Sequence, residues 1–191
     1  MISDDLRERG YSVQRDFFTA AEVQVVSADI QTLNDKNEFT SASIGNNNKT
    51  REAHLVRNDK TYWVDTFSPS DAQNIILSAL ERIRLECNSS LFLGLFDFEG
   101  HYSIYPPQAY YRKHFDSFSD DNARVLTIVA YFNNDWKVGD GGELLLHTSP
   151  TVLIEPIAGS LALFMSREIE HEVLETNVTR QSFSGWFKKA R

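Results

Sequence analysis

Apolar residues follow two different periods along this chain, and the change falls near residue 90. Before it, spacing is helical. Ser3 to Gly10 reads as a short helical turn closed by Gly10, followed by an extended YSVQRDFF. From Thr19, an N-cap candidate, TAAEVQVVSADIQTLNDKN carries Val23, Val26, Ile30 and Leu33 on one helical side. SASIGNNNK, 41–49, is the most loop-like stretch, and LVRNDKTYWV after it has strand-forming ends around a polar middle. SPSDAQNIILSALERIRLECN then predicts a long helix with Ser70 as N-cap and an apolar side of Ile75, Ile76, Leu80, Ile83 and Leu85.

From Leu91 short strands alternate with turn signals: LFLGLFDFEGHYSIY, AYYRKHFD, ARVLTIVAYFN, GGELLLH, TVLIEP, GSLALFMS, HEVLE and RQSFSGWFK. Eight strands in about a hundred residues predict a closed or doubled antiparallel structure, a jelly roll or small barrel, with the preceding helices on one outer face. The fold class is therefore α+β, mainly β. Alternation along a strand places Val125, Thr127, Val129 and Tyr131 on one face of RVLTIVAYF. In RQSFSGWF the same rule groups Arg180, Ser182, Ser184 and Trp186. A guanidinium, two hydroxyls and an indole are too polar for a core and predict a pocket lining.

Composition narrows the function classes. A chain of 191 residues rich in Phe, Tyr and Trp is read as one domain, 1–191, with 1–90 as helical support and substrate loop and 91–191 as jelly-roll core. A net charge of -8 argues against general nucleic-acid binding. MISDDLRERG has no apolar signal-peptide region, no run reaches membrane-span length, and Cys87 is the single cysteine. The expectation is a cytoplasmic protein with no membrane partner.

Candidate chemistry centres on YYRKHFD. His114 and Asp116 are two apart, so on a strand they project from one face with Cα atoms ~6.6 Å apart. With His171 from the distant IEHEV they make the two-His, one-carboxylate set of a non-haem Fe(II) oxygenase. Taken singly, each is an ordinary strand residue. The order and spacing of Tyr131, Gly141-Gly142, His171, Arg180 and Trp186 after the HxD pair make the set informative. His147 reads as a surface or pocket-rim residue, and His54 and His101 as ordinary.

In YYRKHFD, RVLTIVAYFNNDW, GDGGELLLH, IEPIAGSLALFMS, HEV and TRQSFSGWF, with VRNDKTYWV before them, the chain resembles the 2-oxoglutarate and Fe(II)-dependent oxygenases. The branch it resembles is that of the prolyl hydroxylases, including the animal oxygen-sensing enzymes and their bacterial relatives. The likeness runs from about Leu55 to Phe187. It implies a double-stranded β-helix (cupin-like) with iron held by His114, Asp116 and His171. It also implies 2-oxoglutarate as co-substrate and O2 as oxidant, with ascorbate as a reductant. The distal carboxylate of 2-oxoglutarate needs a buried cation, and Arg180 suits that role as a planar, bidentate donor. The resemblance assigns Tyr131 as its hydroxyl partner, Thr127 and Ser184 to the pocket wall, and Tyr105 to the C1 carboxylate, where PPQAY departs by one residue from the family spacing.

For substrate the resemblance implies a protein with an exposed prolyl residue, hydroxylated at C4; bacterial relatives are associated with elongation factor Tu. Arg57, Asp59, Arg124 and Trp186 are the substrate-side candidates, and the likeness pairs Asp59 with Arg124 when the 41–63 loop closes over a peptide. The alternatives are an oxygenase acting on a small molecule or another residue, and a non-catalytic jelly-roll module that retains a metal. Nucleic-acid demethylation fits poorly with the acidic balance.

Overall fold

The computed structural model describes residues 1–42, 56–117 and 124–190. In chain order its elements are α1 (Ile2–Arg9), β1 (Tyr11–Gln14), α2 (Ala20–Asp35), β2 (Thr40–Ser41), β3 (Lys60–Trp63) and α3 (Asp71–Leu91). After them come β4 (Leu95–Tyr105), β5 (Tyr111–His114), β6 (Arg124–Tyr131), β7 (Leu144–Leu146), β8 (Val152–Ile154), β9 (Leu161–Met165), β10 (His171–Val173) and β11 (Arg180–Lys189). The strands form a seven-stranded sheet, β1-β9-β6-β11-β4-β3-β2, and a four-stranded sheet, β5-β10-β7-β8. Every ladder is antiparallel, giving the two-sheet sandwich of a double-stranded β-helix.

Capping residues set where the two long helices begin. Thr19 opens α2 and Ser70 opens α3, each in a reciprocal capping box with Glu22 or Gln73. Asp29 of α2 then ties the layers together, accepting from the Ser70 hydroxyl and from the Tyr102 phenol, both at 3.2 Å. The buried side of α3 is Ile76, Ala79, Leu80, Ile83 and Cys87. Leu85, expected on that side, is 56% exposed, because two residues beyond Ile83 a helix has turned to its opposite face. The first ninety residues also supply more than support: β1 pairs with β9 and β3 with β4, so three early strands complete the larger sheet.

The central strands are buried on both faces, and their alternation divides two cores. Leu126, Ile128 and Ala130 of β6, Leu161 and Leu163 of β9, and Phe183 and Phe187 of β11 meet the helices. Val129, Tyr131, Ala162 and Phe164 point the other way, toward Leu144, Leu146 and Val173 of the smaller sheet. Two glycines keep β4 and β11 close on the helix side. Gly100 lies opposite Gly185, beneath the stacked rings of Phe98 and Phe183, whose centroids are 6.0 Å apart. A Cβ on Gly100 would come within 2.6 Å of one ring and 2.9 Å of the other, so neither can move without the other. Gly100→Ala is therefore expected to lose about 1–3 kcal/mol of stability through overpacking. Urea denaturation checks this, and an unchanged midpoint would mean that the rings part freely.

Candidate active site

One cavity brings together residues of both sheets, with His114, Asp116, His171, Thr127, Tyr105 and Arg180 in its lining. His114 ends β5, His171 begins β10, and the two are directly paired across the smaller sheet. Asp116 lies beyond the strand, in a bend, rather than on it as simple alternation supposes. The bend lets its carboxylate turn between the imidazoles: Oδ1 is 3.5 Å from His114 Nε2 and Oδ2 is 3.4 Å from His171 Nε2. One ligand atom from each of the three lies within 4.8 Å of the others, and all three residues are buried.

Backbone carbonyls orient both imidazoles. His114 Nδ1 lies 2.7 Å from the Arg112 carbonyl and His171 Nδ1 lies 3.2 Å from the Ile169 carbonyl. A carbonyl only accepts, so in each ring Nδ1 carries the proton and the Nε2 lone pair faces the carboxylate. Burial pushes the His171 pKa down, against the pull of Asp116, which keeps the imidazole neutral. Burial alone would raise Asp116, but His171 and His114, with the Trp186 indole, hold it well below the usual carboxylate range. Two imidazole nitrogens and one anionic oxygen, drawn together in a buried pocket, fit a divalent metal.

Thr127 was expected on the co-substrate wall. It does line the cavity, but its hydroxyl is 2.8 Å from Asp116 Oδ2 and 2.9 Å from Ser166 Oγ, so it orients the carboxylate. Deeper, Arg180 begins β11 and is 1% exposed. Its Nε donates to the Gly142 carbonyl at 2.8 Å and its Nη1 to Ser182 Oγ at 3.0 Å. The guanidinium lies 4.7 Å from the Tyr105 ring centre and 5.2 Å from that of Tyr131. Gly142, at φ +77°, makes room for it: a Cβ there would stand 2.8 Å from Arg180 Cδ. Two buried polar atoms in this corner have no hydrogen-bond partner among the described residues, Arg180 Nη2 and the Tyr131 hydroxyl. Burial pushes the Tyr131 phenol up to about 12 despite the neighbouring cation, so it is a neutral donor.

Arg57, His101, Tyr111, Ser184 and Trp186 also line the cavity. Asp59 and Arg124, expected to pair when the loop closes over a peptide, each have another partner in this structure. Asp59 is gripped by Arg57 through two bonds of 2.7 and 2.6 Å. Arg124 pairs with Glu99 at 2.7 Å, stacks 3.7 Å over Trp186 and reaches the Asp116 carbonyl at 3.4 Å. Register explains both choices, since Glu99 lies opposite Trp186 on β4, and residues two apart in an extended segment share a face. His147 is half-buried against Glu172 at 2.9 Å. The expected closing loop, 41–63, falls largely on 43–55, outside the described residues.

Two lining residues escaped the sequence reading. His101 has the parity of Tyr105 on β4 and could have been found that way; it lies edge-on between Trp63 and Trp186, and burial pushes its pKa down to about 4. Tyr111 could not, because three residues along a regular strand put it opposite His114. A bulge in β5 brings the two onto one side, their rings stacked at 3.7 Å.

This geometry agrees with comparisons to known proteins. Residues 100–188 match the family model described as the 2OG-Fe(II) oxygenase superfamily. A Pseudomonas putida prolyl-4-hydroxylase structure superposes with a TM-score of 0.90 at 36% identity, covering 99% of this chain and 97% of that one. The chain is a 2-oxoglutarate/Fe(II) oxygenase of the prolyl 4-hydroxylase family. Two more distant structures share its fold. A prolyl hydroxylase from Trichoplax adhaerens, solved with a hypoxia inducible factor peptide fragment, matches with a TM-score of 0.90 at 23% identity over 99% of this chain and 88% of that one. A non-heme carbocyclase from nogalamycin biosynthesis matches with a TM-score of 0.72 at 14% identity, over 99% and 83%.

Family membership brings Fe(II), 2-oxoglutarate and O2 to the cavity of this oxygenase, and the unsatisfied corner suits a carboxylate. Arg180→Met is expected to weaken 2-oxoglutarate binding on the order of a hundredfold, as for truncation of a buried charge pair. Mn(II) binding should not weaken, since no ligand of the trio is touched and a cation is removed from the same cavity. Isothermal titration of both ligands separates the two effects, and equal losses would move the anchor elsewhere.

Proposed function

We propose that this oxygenase hydroxylates a prolyl residue of a protein at C4, using His114, Asp116 and His171 to hold Fe(II) and Arg180 with Tyr131 to hold 2-oxoglutarate. The observation that carries the reading is the unpaired Arg180 Nη2 beside the unpaired Tyr131 hydroxyl, in the same cavity as the trio. A buried cation with open hydrogen-bonding capacity is costly unless a ligand anion completes it. The prolyl substrate is supported by the near-full-length 36% identity to the Pseudomonas enzyme. The carbocyclase shares the fold at far lower identity, so fold alone does not choose a substrate.

Fe(II) with 2-oxoglutarate supplies oxidation of an unactivated C–H by O2, the co-substrate leaving as succinate and CO2. The chain's own residues bind, orient and exclude water. The Nδ1–H bonds of His114 and His171 to carbonyls hold both Nε2 lone pairs inward. Thr127, backed by Ser166, fixes the rotation of Asp116. Arg180 and Tyr131 orient the distal carboxylate, Tyr105 is the candidate for the C1 carboxylate, and Ser184 completes the wall. Trp186, held flat by Arg124, and His101 line the side where a peptide enters. An apolar wall there keeps the reacting C–H out of bulk water.

The substrate is a protein with an exposed proline, and elongation factor Tu is the first to assay, on the resemblance to bacterial relatives. Ascorbate is the proposed reductant. No helix among the described residues is long and apolar enough to cross a membrane. The proposed compartment is the cytoplasm, where the single Cys87, buried in the α3 core, would stay reduced.

The test is succinate release from 2-oxoglutarate across a panel of proline-containing peptides and intact elongation factor Tu, with mass detection of a one-oxygen gain. The expected product carries the oxygen on proline, and Asp116→Ala abolishes both signals while circular dichroism stays unchanged. Oxygen gain on a non-prolyl residue, or on a free small molecule only, would replace the substrate assignment.

A further inference from the structure

Among the cationic side chains lining the cavity, Arg57 lies one aromatic ring behind a metal-ligand candidate. Arg57 and Tyr111 form an antiparallel bridge, so the segment that carries Arg57 runs along the outer edge of β5. Bonds from Arg112 N to the Val56 carbonyl and from Tyr110 N to Asn58 Oδ1 fix that edge, at 2.7 and 2.8 Å. The Arg57 guanidinium lies 4.2 Å from the centre of the Tyr111 ring, and the His114 imidazole stacks on the same ring at 3.7 Å, 15° from parallel. Two groups at those heights over one face would overlap, so they occupy opposite faces. The result is a three-layer stack with the phenol ring between guanidinium and imidazole.

Such a stack places a positive charge one ring behind a residue that must bind a cation. Asp59 answers it: its carboxylate is wholly buried and takes both an Nε and an Nη2 bond from Arg57. With Asp59 present the pair is neutral. Without it, a desolvated guanidinium would face the metal through a single aromatic ring.

We infer that Asp59 is a positioning residue of the metal centre, neutralising the Arg57 guanidinium that braces Tyr111 and His114 so that the trio keeps its affinity for a divalent cation. The inference rests on His114, Asp116 and His171 being that centre. Arg57 supplies the flat, always-charged group that packs on Tyr111, and Asp59 keeps it from repelling the ion. A charge about 10 Å from a divalent ion, at an effective dielectric constant of about 20, shifts its affinity by at least on the order of tenfold.

The experiment is Mn(II) titration of the full-length protein without co-substrate, read by the loss of the free-ion paramagnetic resonance signal. Asp59→Asn is expected to weaken Mn(II) binding on the order of tenfold, and Arg57→Met with Asp59→Asn to recover to within about threefold of the parent. Tyr111→Phe, which keeps the stacked ring, should bind as the parent does. Should Asp59→Asn fail to fold, Arg57→Met alone decides: with the cation removed and Asp59 retained, binding should be unchanged or tighter. Parent-like binding by folded Asp59→Asn overturns the inference, as does a double variant no better than the single, or weaker binding by Arg57→Met. A parent protein that binds no Mn(II) would overturn the metal centre and this inference together.

Discussion

A guanidinium sealed between two sheets without a carboxylate to meet it constrains much of this molecule. Arg180 begins β11 and is covered by Tyr105 and Tyr131, with Gly142 and Ser182 accepting two of its donors. Each of these has a structural consequence. The Gly142 carbonyl can reach Nε only if the chain turns at positive φ with no side chain, which shapes the crossing into β7. Ser182 and Tyr131 are partners across the β6–β11 ladder, so the register of the central strands itself places the hydroxyls around the cation. The remaining nitrogen, Nη2, is unmet among the described residues.

Charge balance distinguishes the three arginines of the cavity. Arg57 is matched by Asp59 through a bidentate contact and Arg124 by Glu99 through two nitrogens on one oxygen, so each contributes shape rather than net field. Arg180 has no carboxylate partner among the described residues, and the trio presents a single carboxylate between two imidazoles. The cavity thus holds a buried cation at one place and a metal-ligand set at another. An anion that can also chelate a divalent metal satisfies both, which is the chemistry of a 2-oxo diacid on iron.

The supports of the trio come from every layer. Carbonyls of β5 and of the turn before β10 orient the imidazoles, Thr127 of β6 and Ser166 after β9 hold the carboxylate, and Arg124 reaches the backbone of the Asp116 bend. A ligand set positioned by so many separate strands needs a rigid frame, and the helix layer provides it. The double-sided burial of β6, β9 and β11 makes the inner face answer to displacements of the outer one.

Alternation and capping are local properties, and what depends on them was legible in the sequence. The eight late strands, the N-caps at Thr19 and Ser70, the pocket face of Arg180, Ser184 and Trp186, and the trio follow from spacing of two or of three to four residues, or from the order of motifs. What local rules could not supply was decided by tertiary contacts. Asp116 reaches the histidines from a bend, and Tyr111 joins His114 through a bulge, because one inserted residue reverses parity. Asp59 chooses Arg57 and Arg124 chooses Glu99 because an ion pair forms between the nearest complementary charges, and nearness is set by strand register. Sequence by itself determined the cavity residues that follow regular alternation; the packing of the two sheets, with the bulge at Tyr111, decided the rest and which of them touch.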